Sequence, residues 1–332
     1  LIGLTFVIVL WMGGRQVIRG AISLGSFVMF TTYMGMLIWP MIALGWVVNL
    51  MQRGTASLER INKLLHEQPE IDDSAVAPEA PERIRGEIEF RGVGVSYSAN
   101  GSALDSIDLR IPAGQTVAIV GPTGGGKTTL VNLVARLRDP DRGQVRIDGV
   151  DIRNIPLAAL RQSIGFVPQE TFLFSETIAE NIAFGADGSG DGAIQHAGEV
   201  AGIAGDVEEF PQKYQTLVGE RGITLSGGQK QRTAIARALI RDPRILILDD
   251  ALSSVDTITE EKILAHLSEV MRGRTTLLIS HRVSTVRSAD RIVVLSGGRV
   301  VEQGSHDELL ARGGYYAALY EKQMLEEELE EA

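Results

Sequence analysis

Residues 116–129 read TVAIVGPTGGGKTT, and a helical pattern opens at Leu130. Thr116 to Val120 is an apolar, β-branched run of the kind that forms a buried strand. A glycine-rich turn follows it, and strand, loop and helix in that order make a cradle for phosphate. The glycines let backbone N–H groups turn inward toward phosphate oxygens, while the helix N-terminus adds partial positive charge. Gly121, Pro122, Thr123, Gly124, Gly125 and Gly126 supply the loop and Thr129 closes the motif. Lys127 is expected to reach the β and γ phosphates of a nucleotide, and the Thr128 hydroxyl to ligate Mg²⁺. A glycine-rich turn with no ligand is the plainer alternative, and the full spacing stands against it.

Downstream, Ile245 to Leu248 is a second apolar run, and it ends in Asp249 and Asp250. Two carboxylates then sit at the C-terminal edge of a strand, where open α/β sheets bind their ligands. Asp249 is expected to hold Mg²⁺ through water and Asp250 to face the γ-phosphate. Without the upstream loop the pair would be as well explained by capping the next turn. Further β-type runs at Glu87–Phe90, Thr276–Ile279 and Ile292–Leu295 alternate with longer helical stretches, so the chain from Gly86 onward is α/β.

Between the two nucleotide elements lies Leu225-Ser226-Gly227-Gly228-Gln229. With it the domain strongly resembles the ATP-binding cassette family, whose signature this pentapeptide is. The resemblance is dense from Gly86 to about Tyr320, and looser from Leu1 to Leu65, which resembles the last two membrane helices of an exporter half. It implies an α/β P-loop NTPase with a RecA-like core, an antiparallel β subdomain and an α-helical subdomain, fused to α-helical transmembrane segments. It also implies ATP and Mg²⁺ as cofactors, and a signature that touches ATP held by an opposing subunit. By the same resemblance Tyr97 stacks on adenine, Gln169 meets metal and attacking water, and His281 is the switch histidine at the γ-phosphate. Asp256 then belongs to a loop that communicates across the dimer, and Glu220, within Gly219–Gly222, to the segment by which exporters sense their membrane domains. Taken singly each is bland, since a lone tyrosine is usually core and a lone histidine usually a satisfied polar residue.

One position departs from the family pattern. The usual residue at 250 is glutamate, the base that polarises the hydrolytic water, and here it is aspartate. The stretch DDALSSVD at 249–256 looks like that of the weak-site subunit of a heterodimeric multidrug exporter. The expectation is ATP-driven export of a hydrophobic or amphipathic compound across the cytoplasmic membrane, multi-pass, with the cassette in the cytoplasm. This chain's own site would be slow, and its partner a second, different half-transporter. A homodimeric exporter of lipid or peptide stays open, and so, more remotely, does a soluble cassette ATPase of DNA repair or translation. An importer ATPase is disfavoured, because importers usually keep their membrane helices on a separate chain.

The N-terminal part has another character. Leu1–Gly14 and Gly20–Gln52 carry no charged residue, and Ser26–Val48 is long enough to cross about 30 Å of hydrocarbon as a helix. Beyond it Arg53, Glu59, Arg60 and Lys63 mix with Leu50, Ile61, Leu64 and Leu65, a pattern that continues the helix past the lipid. Leu1–Met12 is too short to span and lacks the basic leader and cleavage site of a signal peptide, so the expectation is a truncated N-terminus. Gly13–Gly25, with its glycines and with Arg15 and Arg19, is expected to be the turn between two antiparallel membrane helices. Trp39, Met41 and Trp46 are candidates for lining a substrate pathway, though facing lipid or other helices is the commoner use. The proline-containing stretch Gln68–Pro81 is a linker. The division expected is 1–66 for the membrane part, 67–85 for the linker, 86–320 for the cassette and 321–332 for an acidic tail, its densest run Glu326–Glu331 a frayed charged helix. A net charge of −10 argues against nucleic acid, and zero cysteines exclude disulfides. His66, His196, His266 and His306 match no motif and are taken as surface or structural.

Overall fold

The computed structural model describes residues 2–74, 83–98, 101–186, 188–222 and 224–330. Two units separate, Leu1–Glu70 and Ile71–Ala332.

The first unit is a helical pair, α1 (Ile2–Ile18) and α2 (Leu24–Leu65). The turn between them is shorter than its glycines suggest. α1 runs through Gly13 and Gly14, and the chain reverses only after Ile18, with Gly20 at φ +72 and the Ser23 hydroxyl accepting from Ser26 N–H at 3.1 Å to cap α2. Gly13 serves close approach instead of chain reversal, because a Cβ there would lie 2.4 Å from the Phe27 ring. α2 is a single helix of 42 residues, and among the described residues it is the one long and apolar enough to cross a membrane. The charged segment from Arg53 to Lys63 continues it without a break.

The second unit begins with β1 (Ile88–Ser98), β2 (Gly101–Ile111), β3 (Thr116–Val120), α3 (Lys127–Val134), β4 (Arg142–Ile147) and β5 (Val150–Asp151). Then come α4 (Leu157–Gln162), β6 (Ile164–Val167), α5 (Ile178–Ala183), α6 (Asp191–Val200), α7 (Ala204–Glu209), α8 (Gly227–Leu239) and β7 (Ile245–Asp249). The last are α9 (Thr257–Met271), β8 (Thr275–Ile279), α10 (Val283–Val286), β9 (Arg291–Ser296), β10 (Arg299–Gly304), α11 (His306–Arg312) and α12 (Tyr315–Glu330). An antiparallel sheet runs β2-β1-β4-β5, and a second sheet β10-β9-β3-β8-β7-β6, parallel apart from β10. Strand alternation distributes β3 between two cores. Val117 and Ile119 join α3 and the antiparallel sheet, whereas Ala118 and Val120 join Val283, Val286, Leu309 and Tyr316 on the other face. A third core gathers α5 to α9 against Leu246 and Leu248 of β7. With both faces of the parallel sheet covered, its strand ends are the open rim.

Two boundaries differ from the sequence-based expectation. Asp73 Oδ1 accepts Leu157 N–H at 2.8 Å, and the Asp148 carboxylate accepts N–H groups of Arg85 at 2.6 Å and Glu87 at 2.9 Å, so the flanks of the linker are fastened to the second unit. Pro78 and Pro81 lie outside the described residues. At the other end α12 continues as helix to Glu330 through most of the acidic stretch. It is anchored by Tyr316, fully buried, whose hydroxyl is 2.8 Å from His306 Nδ1 and whose pKa burial pushes up to about 12.

Candidate phosphate site

β3, β8, β7 and β6 are neighbours and end at the same edge of the sheet. They deliver Gly124–Thr129, His281, Asp249 with Asp250, and Gln169 to one cavity of about 300 Å³, lined also by Tyr97, Ala103 and Thr123. α3 opens there with Gly126 as its N-cap at φ +99 and no side chain bonded to its first turn. Its leading N–H groups therefore have no partner within the helix. At two points of the loop a side chain is excluded: a Cβ on Gly121 would lie 2.0 Å from Leu295 O, and one on Gly126 2.4 Å from Ala103 O.

Lys127 is buried, and its Nζ donates to the carbonyls of Gly121 at 2.9 Å and Pro122 at 3.1 Å. Burial draws its pKa down while the charges of Asp250 and Asp249 push it back up. Across the cavity Asp249 is 1% exposed, and its Oδ2 has no hydrogen-bond partner among the described residues. Burial raises the Asp249 pKa above the ordinary carboxylate value, against the lowering effect of the Thr128 hydroxyl. A buried orphan carboxylate oxygen beside a hydroxyl is the donor set of a hard divalent cation, so these residues fit Mg²⁺. Asp250 has φ +52, its N–H donates to Ile279 O at 2.9 Å, and its Oδ2 lies 3.9 Å from His281 Nε2.

Tyr97 stands at the mouth, 62% exposed, its hydroxyl 3.3 Å from Thr129 Oγ1. The Arg138 guanidinium stacks 4.6 Å over the ring and is itself held by Ser96 O at 2.8 Å and Asp141 at 3.1 Å. Ser96 N–H and Arg138 keep the Asp141 carboxyl below its usual range. One face of the ring is thus taken by a cation, and sequence reading passed over Arg138 because nothing in the motif marks it.

The pentapeptide 225–229 is elsewhere: none of its residues lines this cavity. Ser226 caps α8, accepting from Gln229 N–H at 3.2 Å while Gln229 Oε1 accepts from Ser226 N–H at 2.9 Å. Gln229 Nε2 also donates to Asp206 at 2.9 Å, and Leu225 is buried in the helical core. Cβ atoms on Gly227 and Gly228 would come within 3.2 Å of Ser254 Cβ and 3.1 Å of Ser254 O. Asp256 caps α9 through Thr259 N–H at 2.9 Å, a bond that lowers its pKa. Glu220 opens a short 3-10 turn, Glu220–Gly222, and is exposed.

A family model described as ABC transporter matches residues 104–253. The chain is 44% identical over 328 residues to the probable multidrug resistance ABC transporter ATP-binding/permease protein YheI of Bacillus subtilis, a match covering 98% of this chain and 55% of that protein. It is also 44% identical over 329 residues to the ATP-dependent lipid A-core flippase of Syntrophus aciditrophicus, covering 99% and 54%. Among solved structures, a bacterial Atm1-family ABC exporter with ATP bound matches with a TM-score of 0.78 at 40% identity, over 91% of this chain and 53% of that one. The chain spans about half the length of the curated relatives it matches.

Proposed function

This chain carries an ABC transporter domain, and from that premise we propose that it is one subunit of a dimeric ATP-driven exporter of a hydrophobic or amphipathic compound. In this reading it is multi-pass in the cytoplasmic membrane, with its nucleotide domain in the cytoplasm and the bilayer, the transported molecule and a second half-transporter as its partners. The observation that carries the reading is the uncapped start of α3, with the Lys127 ammonium folded back on its own loop and the Asp249 oxygen left unpartnered. Phosphate oxygens complete the first two, and a hard cation would complete the third. The oxygens accept the free N–H groups of α3 and draw Lys127 Nζ away from the carbonyls of Gly121 and Pro122. Tyr97 stacks on the base with its open face. Asp249, Thr128 and Gln169 would hold Mg²⁺, which neutralises charge developing on the transferred phosphoryl. Asp250 orients and deprotonates the attacking water, and His281 donates to the γ-phosphate. This chain's Ser226, Gly227 and Gly228 serve the ATP of the partner, with Asp256 and Glu220 relaying closure.

The finer reading is a partner of different sequence. A general base must lie about 2.6–3.2 Å from the proton it takes. Aspartate is one methylene shorter than glutamate, and a displacement of about 1 Å costs roughly 100-fold in rate. The left-handed backbone at position 250 suits aspartate, so the shorter acid is comfortable for the fold while ill placed for the water. A homodimeric lipid exporter is the competing reading, favoured by the likeness to lipid A-core flippases. Single-turnover hydrolysis by the complex purified from its native membrane separates them. A slow phase at this chain's site that Asp250→Glu accelerates supports the heterodimer, and equal rates at two identical sites reject it. Retention of ATP binding and turnover at this chain's own loop in Lys127→Ala would remove the nucleotide assignment itself.

A further inference from the structure

The acidic C-terminal helix reaches the catalytic wall. Gln323, half-buried on α12, uses both ends of its amide on one short backbone segment: Oε1 accepts from Val283 N–H at 2.7 Å, and Nε2 donates to the His281 carbonyl. Val283 is the first residue of α10, so its N–H is one of those a helix start leaves without an internal partner. His281 and Arg282 lie between β8 and α10, outside any regular ladder that would fix them. Among side chains, a primary amide can donate and accept at once across such a gap, whereas an ionised carboxylate only accepts.

The residue between the two clamped groups is held too. Arg282 donates to Val255 O at 3.2 Å and pairs with Glu260, a carboxylate 2% exposed on α9 that also accepts the Thr285 hydroxyl. α12 itself is seated by Tyr316 in the core shared with Val120, the last residue of β3. Its first turn is pinned by Glu302, which accepts Tyr315 N–H at 2.5 Å. The helix that holds Gln323 therefore rests on the strand that delivers the phosphate loop.

We infer that Gln323 is a positioning residue for His281: by bonding the backbone on either side of Arg282 it sets where the imidazole stands relative to Asp250 and the phosphate cradle. This rests on the proposed role of His281 at the γ-phosphate. It makes α12 as far as Gln323 part of the hydrolytic site, and it concerns turnover and not nucleotide affinity, because Gln323 bonds nothing in the loop at 121–129.

The test is single-turnover ATP hydrolysis by the full-length protein in its native membrane complex, read in the phase that Lys127→Ala abolishes. The rate at saturating ATP and the ATP concentration giving half that rate are measured separately for Gln323→Ala, Gln323→Glu, His281→Ala and the Gln323→Ala/His281→Ala double variant. The expected result is a fall of at least about tenfold in the saturating rate for Gln323→Ala, in line with the sensitivity of rate to sub-ångström placement. The half-saturating concentration should stay within about twofold. Gln323→Glu keeps the bulk and the acceptor but not the donor, and should be as slow, which guards against a mere loss of folding. The double variant should be no slower than His281→Ala alone, as expected when one residue acts through the other. Additive losses in the double variant, a Gln323→Ala rate equal to the parent, or a half-saturation that rises in step with the loss of rate each overturn the inference. Full turnover in His281→Ala instead overturns the reading on which it rests, and the two failures are told apart by that single variant.

Discussion

α3 and α8 both begin with glycine-rich turns, and they are finished in opposite ways. α3 starts at Lys127 with no side-chain cap, whereas α8 starts at Gly227 under a reciprocal Ser226–Gln229 capping box. The same partial positive charge gathers at both ends. At α3 the polypeptide leaves the donors unsatisfied and folds a cation beside them; at α8 it satisfies one donor with its own hydroxyl and leaves the glycines narrow against Ser254. The difference teaches that α3 requires an anion to be complete and α8 only tolerates one. In the proposed reading, affinity belongs to the first helix and closure of a partner's site to the second.

The largest effect that could break this contrast is at Lys127. Lys127→Ala should weaken Mg-ATP binding at this chain's loop by on the order of 100-fold, since hydrogen bonds to charged groups contribute about 1.5–3 kcal/mol each. Nucleotide titration of the full-length protein reads it, and an unchanged affinity ends the argument. Tyr97→Ala should cost about 1–3 kcal/mol of binding through lost stacking. Tyr97→Phe should bind like the parent, because the hydroxyl makes only the long 3.3 Å contact to Thr129; a large loss with phenylalanine would move the tyrosine's role from its ring to its oxygen. Ser226→Ala sharpens the other side of the comparison. It should lower thermal stability by about 1 kcal/mol through the lost cap and slow turnover of the dimer, while leaving affinity at this chain's own loop where it was. Weakened binding there would mean that the two helix starts are not separate in function.

The finest test is of pH. Burial raises the Asp249 pKa above its ordinary 3.8 in the folded, ligand-free chain. The native state then binds more protons than the unfolded state between 3.8 and the raised value, so this group's contribution to stability falls as pH rises through that window. Asp249→Asn should flatten that part of the unfolding profile and, above the window, unfold at a higher temperature than the parent without ligand. With Mg-ATP present the order should invert, because the ion needs the carboxylate. A variant less stable than the parent in both conditions would show that the unpartnered oxygen carries no cost.

How far the sequence alone reached follows from the same physics. The loop at 121–129 was legible because backbone curvature demands glycine at fixed spacing, and Asp249 with Asp250 because a strand end is a sharp sequence event. The turn at Gly13–Gly25 was read too widely, since a glycine that admits a neighbouring ring looks the same as one that reverses the chain. Arg138 and Gln323 left no local trace. Arg138 meets Ser96 from 42 residues away, and Gln323 reaches Val283 across 40, so these contacts exist only once the sheet and its flanking helices are assembled. The acidic residues that follow Gln323 place it, on sequence alone, beyond the expected end of the cassette at 320.

The length of α2 carries a mechanical consequence. Forty-two residues at 1.5 Å each make a rod of about 63 Å, roughly twice the hydrocarbon thickness it is apolar enough to cross. From the middle of the apolar stretch to Leu65 is about 40 Å, so a tilt of about 10° at that pivot sweeps the polar end through roughly 7 Å. The gain is fixed by geometry and indifferent to which side chains line the helix. Pro40, which lacks the N–H that would tie it to the preceding turn, sits near that pivot, where bending interferes least with the stroke.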